Sequence, residues 1–498
     1  MTEKNIEVVF PLVFVVRLFP EITIKSPSVR KRWTKHLVEN LRLLMRGICP
    51  GLHVLQDWDR IEVRVPTDAP EVCEKIVDIL SRTPGIAHSL RTCSYDFESM
   101  HDIYERAYEH WGDQLTGKTF CVRVKRTGQH DYTSTDVERY VGGGLNQHCN
   151  TAGVRLVNPE VTVNVEIKNQ TCYVVAEKYP GLGGFPVGTQ ESVLSLVSGG
   201  FDSTVASYMM IKRGLKTHYC FFNLGGLAHE IGVKEIAFYL WQRFGSTHKV
   251  RFVTVPFDKV VAEILTQIDP SNVGVVLKRM MLRAAEKLAK RGQIPALVTG
   301  EAVAQVSSQT MHNLAVIDKV VDTMIFRPLV VTDKRDIINM ARDIGAEEFS
   351  ANIPEYCGVI SVKPSSRVNE EHVIEQEARF DFDILDQAVE QSVMQPIDKV
   401  MATQSSLPQV PQKDSLVAGD VVIDVRHPDE QSLKPLVLSD NQVLTIPFFK
   451  LSTAFVALEK EGEKGRSYLL YCEKGVMSEL HAAQLASEGY TDICVYRP

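Results

Sequence analysis

Cysteine is sparse in this chain, ten in 498 residues, and no two of them form a CxxC pair or fall at a Cys/His spacing that zinc would need. That excludes a disulfide-stapled scaffold and predicts reduced thiols in a cytoplasmic setting. Long hydrophobic runs are missing too. The apolar stretch from Val8 to Phe19 is broken by Pro11 and Arg17, so it predicts a buried strand and no signal peptide, membrane span or membrane partner. Overall basic charge is absent, with a formal net charge of −7 and a pI near 6.1. A nucleic-acid partner would therefore need a local basic face. No GxxxxGK[ST] occurs and no GxGxxG opens a strand–helix unit, which excludes a Walker-type loop and a dinucleotide fold. What remains is a chain with 44% hydrophobic and 23% charged residues, a globular composition. Its length predicts about three or four domains, at ~100–200 residues each.

The most informative run is Ser198-Gly199-Gly200-Phe201-Asp202-Ser203, entered from the apolar Val193–Val197 and followed by Thr204–Met210. It reads as strand, turn, helix. Paired glycines let the backbone approach an anion, and Ser198 and Ser203 add hydroxyls beside the N–H groups of a helix start. A lone SGG would be a helix-capping turn. The six-residue SGGxDS match in this context resembles the PP-loop of ATP pyrophosphatases, which adenylate a substrate oxygen and release pyrophosphate.

Upstream, a strand (Val8–Leu18), a basic helix (Val29–Met45), a second strand (Arg60–Val65) and a second helix (Ala69–Ser81) predict a small α+β domain. Within the first helix Arg30, Lys31, Arg32, Lys35, Arg42 and Arg46 accompany Leu37, Leu41 and Leu44, giving one cationic and one apolar face. A second basic segment, Phe120–Arg126, precedes Thr127-Gly128-Gln129-His130. The stretch from about Ala69 to Lys178 resembles a THUMP domain, an RNA-binding module, through "RVKRTGQHDYTSTDVERYVGGGLNQ". That resemblance makes Arg123, Lys125, Arg126 and His130 candidate phosphate or sugar contacts, in a mode that reads RNA shape because no RNP-type aromatic cluster is present.

From Ser192 to Ser361, strand signals at Val193–Val197, Thr217–Asn223, Val250–Pro256, Ala296–Gly300 and Ile325–Pro328 alternate with helical stretches. This predicts a doubly wound parallel sheet with its ligand at the carboxyl ends of the strands. Gly300-Glu301-Ala302 and Gln305–Thr310 fall there. Lys278 could neutralise phosphate and Gln309 could bond a base or ribose, but each reads equally as an ordinary surface residue.

After Pro364 the chain is acidic and helical through Glu370–Asp383, then has linker composition through Thr403–Lys413. A compact α/β unit follows. Its strand Ser467–Tyr471 leads through Cys472-Glu473-Lys474-Gly475-Val476-Met477-Ser478 into a helix at Glu479–Gly489, a turn that would stabilise a thiolate or persulfide on Cys472. Cys121 and Cys220, on apolar strands, read as core residues. "DVRHPDE" and "YCEKGVMSEL" make the unit from about Val417 resemble a rhodanese domain, with Met477 where a basic residue often sits.

Together with "SLVSGGFDS", "CFFNLGG", "VLKRMM", "TGEAVAQVSSQT" and "IPEYCGVIS", these strings identify the chain as similar to the ThiI family of tRNA 4-thiouridine sulfurtransferases along nearly its whole length. The resemblance implies a multidomain α/β fold: a ferredoxin-like α+β domain (1–68), a THUMP domain (69–178), a doubly wound parallel-sheet PP-loop domain (179–364), a helical and polar linker (365–416) and a rhodanese-like α/β domain (417–498). It implies adenylation of uridine 8 of tRNA at its C4 oxygen, with ATP held by Leu196, Val197, Ser198, Gly199, Gly200, Ser203, Lys278, Gly300, Gln309 and Lys334. Asp202 would organise the phosphates through Mg2+, with no metal site built from protein ligands alone. A cysteine desulfurase would load Cys472 with sulfur. Cys357, which by its residues alone reads as a small buried side chain after Tyr356, becomes the thiol that closes a Cys357–Cys472 disulfide. A small sulfur carrier protein of thiazole synthesis is an implied further partner, and a homodimer is compatible with the reading. Two other readings are an RNA methyltransferase, which lacks its glycine fingerprint here, and an RNA-binding protein with a sulfur-relay tail, which leaves Asp202 without a task.

Overall fold

The computed structural model describes residues 10, 12–57, 60–224, 226–351, 363–401, 408–426, 428–446, 451, 454–455, 458, 466–473 and 476–498. They divide into two units, Met1–Gln190 with Lys212–Gly214, and Glu191–Ile211 with Leu215–Pro498.

The first unit is built on one eight-stranded sheet. Its strands are β1 (Leu12–Leu18), β2 (His53–Asp57), β3 (Arg60–Val65), β4 (Ile86–Asp96), β5 (Thr119–Thr127), β6 (Gly153–Val154), β7 (Val161–Lys168) and β8 (Thr171–Gly183). They lie in the order β2-β3-β1-β4-β8-β7-β5-β6. Alternation along β1 sends Leu12, Phe14, Val16 and Leu18 into a core with Leu37 and Leu41 of the helix Pro27–Leu44 and Ile76 and Leu80 of the helix Pro70–Arg82. The other half repeats the device. Phe120 and Val122 of β5 pack with Ile103 and Ala107 of the helix Met100–Trp111 and with Val137, Val141 and Leu145 of the helix Ser134–His148. Both of these helices start on a capping box, Ser99 with Asp102 and Thr133 with Asp136. On the opposite face of the strands Arg60 reaches Glu62 at 2.6 Å and Glu166 at 3.2 Å, and Arg17 also pairs with Glu166, so buried charges tie β3 and β1 to β7. The cations Arg30, Lys31, Arg32 and Lys35 are all exposed on the first helix, while Leu37 and Leu41 are fully buried.

In the second unit, β9 (Ser192–Leu196), β10 (Lys216–Asn223), β11 (Arg251–Pro256), β12 (Ala296–Val298), β13 (Met324–Phe326) and β14 (Val393–Pro396) form a six-stranded sheet in the order β13-β12-β9-β10-β11-β14. The five expected strands are present and mutually parallel, and the order reverses at β9. β14 is antiparallel to β11 and was not anticipated. It ends a segment whose composition reads as helical and polar linker. Residues 365–401 are instead integral to this domain: Val373, Phe380, Leu385 and Val389 enter the core with Val276, Met280 and Leu288 of the helix Val273–Arg291. Arg279 reinforces the contact by a two-pronged pair with Glu377, at 2.6 and 2.7 Å.

A separate five-stranded sheet follows: β15 (Gln412–Lys413), β16 (Val421–Asp424), β17 (Gln442–Thr445), β18 (Tyr468–Tyr471) and β19 (Ile493–Tyr496), in the order β15-β19-β18-β16-β17. Every pairing in it is parallel. β16 and β18 are fully buried runs, as parallel strands covered on both faces must be. Ile236 and Phe349 of the preceding domain belong to the same core cluster as Val421, Leu470 and Cys472.

Candidate active site

At the point where the six-stranded sheet reverses its order, β9 ends at Leu196 and the chain turns through Ser198–Gly200 into the helix Phe201–Lys212. The turn is held from inside. Ser195, fully buried on β9, shares a 2.8 Å hydrogen bond with Ser207 Oγ, and Ser207 in turn donates to the Ser203 carbonyl. Leaving that hydroxyl unpaired would cost ~1–3 kcal/mol, so strand and helix are pinned together. Gly199 adopts a φ of +83°, where a side chain would be strained. Ser203 Oγ accepts from the Ser198 N–H at 3.2 Å and donates to the Gly200 carbonyl. Gly300, just past β12, lies so close to the helix start that a Cβ there would sit 2.5 Å from the Asp202 carbonyl carbon and 2.6 Å from the Ser203 nitrogen.

These elements open a cavity of about 520 Å3 lined by Leu196, Val197, Ser198, Gly200, Asp202, Ser203, Lys278, Gly300 and Gln309 among others. Nine of the sequence-predicted positions thus share one concavity. Gly199 lies within the same turn. Lys334, at the start of the helix Lys334–Asp343, is brought in by its bond to Asp202, Nζ to Oδ1 at 2.7 Å.

Several neighbours went unassigned in the sequence. Gln305 donates to the other Asp202 oxygen at 2.8 Å. Glu301, a buried residue of the cavity wall, accepts from Lys278 at 2.7 Å, from Arg327 at 2.8 Å and from Thr299 at 3.0 Å. Burial alone would raise its carboxyl pKa, but Lys278 and Arg327 outweigh burial and hold it at about 2. Lys278 therefore enters the cavity already charge-paired. His229 lines the cavity from the helix Gly226–Leu240 and donates from Nε2 to the Ser198 carbonyl at 3.0 Å. Burial lowers its pKa more than that carbonyl raises it, which favours the neutral ring. Gln309, buried, accepts from the Ala302 N–H at 3.4 Å.

The four candidate RNA contacts divide. Arg123 and Lys125 are exposed and two residues apart on β5, on the face opposite the helices; Arg123 also bonds the Leu156 carbonyl. Arg126 points to the other side, where its Nη1 meets His130 Nδ1 at 2.9 Å while His130 Nε2 meets the Asn169 carbonyl at 2.6 Å.

Cys472 follows the buried strand β18 as a free, buried thiol. The Ser478 N–H, in the first turn of the helix Val476–Ser487, points at its sulfur at 3.3 Å, and the thiol faces Ser478 Oγ at 3.4 Å. The helix begins three residues earlier than the sequence suggests. Cys357 lies outside the described residues. Cys121 and Cys220 are buried on their strands, as expected.

Among the described residues no cluster of metal-ligating side chains occurs, and no helix is long and apolar enough to cross a membrane.

Fold and site define a class: a multidomain α/β protein with a Ser-Gly-Gly turn opening a cavity at the switch point of a doubly wound sheet. Comparison with known proteins narrows it. Residues 188–382 match the model of the family described as thiamine biosynthesis protein (ThiI), residues 97–177 that of the THUMP domain and residues 13–89 that of the ThiI ferredoxin-like domain. The chain is 61% identical over 485 residues to a tRNA sulfurtransferase of Saccharophagus degradans, covering 97% of this chain and all of that one. It is 52% identical over 486 residues to a tRNA sulfurtransferase of Shewanella loihica, covering 97% and 99%. A crystal structure of a 4-thiouridine synthetase–RNA complex with bound ATP shares the fold, with a TM-score of 0.67 at 24% identity over 77% of this chain and 99% of that one. The chain belongs to the ThiI family.

Proposed function

We propose that this protein is an ATP-dependent tRNA sulfurtransferase that converts uridine 8 of tRNA to 4-thiouridine. One observation carries the reading: a Ser-Gly-Gly turn, an Asp202 carboxylate fixed by Lys334 and Gln305, and Lys278 meet in one cavity at a sheet switch point. Loop N–H groups and the helix start suit the phosphates of ATP, and the apolar wall of Leu196, Phe222 and Met281 suits its base. A carboxylate beside serine hydroxyls is a donor set that can hold Mg2+ together with phosphate oxygens, and of the two carboxylates lining the cavity Glu301 is committed to Lys278 and Arg327, so Asp202 is the residue to carry the ion, which would supply charge neutralisation.

In this reading the C4 oxygen of the uridine attacks the α-phosphorus, and pyrophosphate leaves. The terminal sulfur of a Cys472 persulfide, loaded by a cysteine desulfurase, then attacks C4 and expels AMP. Cys357 attacks the Cys472 sulfur, a Cys357–Cys472 disulfide forms, and the thiolated uridine departs. An external thiol reduces the disulfide. The parallel sheet and the position of Cys472 after β18 support a rhodanese-like reading of the C-terminal domain. Chain length supports the meeting of the thiols: Phe349 shares a core cluster with Cys472, and the six residues from Ala351 to Cys357 reach at most about 20 Å. The basic face of β5 suits tRNA, and transfer of sulfur to a small carrier protein of thiazole synthesis, in the cytoplasm, belongs to the same proposal.

The test is pyrophosphate release from ATP that depends on added tRNA, with mass analysis of the tRNA nucleosides from cells lacking the protein and from complemented cells. Release without tRNA dependence, or 4-thiouridine unaffected by the loss, would overturn it.

A further inference from the structure

The helix Gly226–Leu240 touches two functional parts of the second unit. His229, in its first turns, holds the Ser198 carbonyl, its ring edge-on to Phe221 with centroids 4.8 Å apart. A peptide plane is rigid and its C=O and N–H point in opposite directions, so fixing this carbonyl fixes the direction of the Gly199 N–H in the loop. Farther along the same helix Glu235 meets His481 Nε2 at 2.6 Å, with both side chains buried. His481 belongs to the helix Val476–Ser487, whose Ser478 N–H points at the Cys472 sulfur. Beside this pair, Ile236 and Tyr239 pack against the core that contains Cys472. Between the two contacts the helix is braced: Glu230 pairs with Lys234 at 2.6 Å and accepts from Asn223 at the end of β10 and from Thr254 on β11.

From this arrangement we infer that the helix Gly226–Leu240 couples docking of the Cys472 domain to the shape of the Ser198–Gly200 turn, with His229 as a positioning residue for the nucleotide. The inference rests on the ATP reading of the cavity. An α-helix is stiff along its axis, so a displacement at Glu235 when the C-terminal domain leaves is felt at His229, less than two turns away. The coupling is reciprocal, so a bound nucleotide holds the sulfur-bearing domain in place and its release frees Cys472 for reloading.

The experiment is calorimetric titration of the full-length chain with ATP and Mg2+, without tRNA. Glu235→Gln and His481→Ala, neither of which lines the cavity, should each weaken ATP binding by at least about five-fold, the lower end of ordinary coupling. His229→Ala should also weaken it, and His229→Gln, whose amide can donate near the Nε2 position, should recover most of the loss. Adding His481→Ala to His229→Ala should change nothing further. Unchanged affinity in Glu235→Gln and His481→Ala, or an equal effect of His481→Ala with and without His229, would overturn the coupling. Should one of the docking variants fail to fold, as judged by its melting curve, the other decides. Failure of the unaltered chain to bind ATP overturns the site reading itself and the coupling with it, an outcome visible before any variant is compared.

Discussion

Lys334 Nζ lies 2.7 Å from Asp202 Oδ1, although 132 residues separate them in the chain. The helix Lys334–Asp343 thus delivers a cation to the first turn of the helix that follows the glycine loop. The pair is partly open to solvent, so it contributes little to stability by itself.

Replacing Asp202 by Ala should lower tRNA-dependent pyrophosphate release by at least about 100-fold, the usual scale for losing a charge-organising group. Binding of tRNA, measured by filter retention, should stay within a factor of two or so because the candidate RNA contacts lie on β5 and just after it, at His130. Lys334→Ala should impair the same step less severely. Normal 4-thiouridine in Asp202→Ala would remove the loop from the chemistry.

Glu301 supplies a pH signature. Its carboxyl pKa is depressed from 4.5 to about 2, so the stabilisation it gives is fully present above pH 4.5 and is lost as pH falls towards 2. For this buried group the linkage amounts to on the order of 3 kcal/mol at neutral pH. Urea denaturation of Glu301→Gln should show a deficit of that order at pH 7 that shrinks steadily between about pH 5 and pH 2. A deficit independent of pH would mean that packing, and not the charge pairs with Lys278 and Arg327, sets the effect.

On β5, Arg123 and Lys125 present their charges outward, whereas Arg126 is engaged with His130. Arg123→Ala with Lys125→Ala should therefore flatten the salt dependence of tRNA binding by up to ~0.7–0.9 in slope for each phosphate that is no longer neutralised. Arg126→Ala should act mainly on stability, by loosening the turn that His130 ties to Asn169. Salt titrations of the two variants separate these effects, and an unchanged slope in the first would move the RNA contact elsewhere.

The two proposed thiols should fail differently. Cys472→Ser should accept no labelled sulfur from a desulfurase and make no 4-thiouridine. Cys357→Ser should accept label and stall after one turnover. Enzyme quenched without reductant should yield a peptide pair joining the two residues. Repeated turnover of Cys357→Ser at the unaltered rate, with no added thiol, would leave Cys357 as a packing residue.

Much of the site was legible because its core is contiguous: apolar strand, Ser-Gly-Gly turn and helix occupy one stretch of chain, and each local preference agrees with the others. The five parallel strands were legible for the same reason. Gln305 lies in a stretch the sequence places at the strand ends, but its bond to Asp202, 103 residues away, and that of Arg327 to Glu301, 26 residues away, were not legible, because only the sheet order brings the partners together. His229 was not legible because its partner, the Ser198 carbonyl, lies 31 residues away on a turn that only the fold brings beside the helix. The segment 365–401 misled because Val373, Phe380, Leu385 and Val389 are diluted by acidic neighbours, and only their burial reveals the inward stripe. The tight connection from β7 to β8 was hidden as well: Asn169, not glycine, takes the positive φ, at 52°.

β4 and β8 are paired along nearly their full lengths, from Ile86 opposite Gly183 to Asp96 opposite Thr171. The ferredoxin-like and THUMP matches, at 13–89 and 97–177, fall on either side of that ladder. A chain cut between them would bare a long row of backbone donors and acceptors on each fragment, the template on which strands from separate molecules add and precipitate. Modules that sequence families count as two are in this chain one sheet and one unit, to be expressed together.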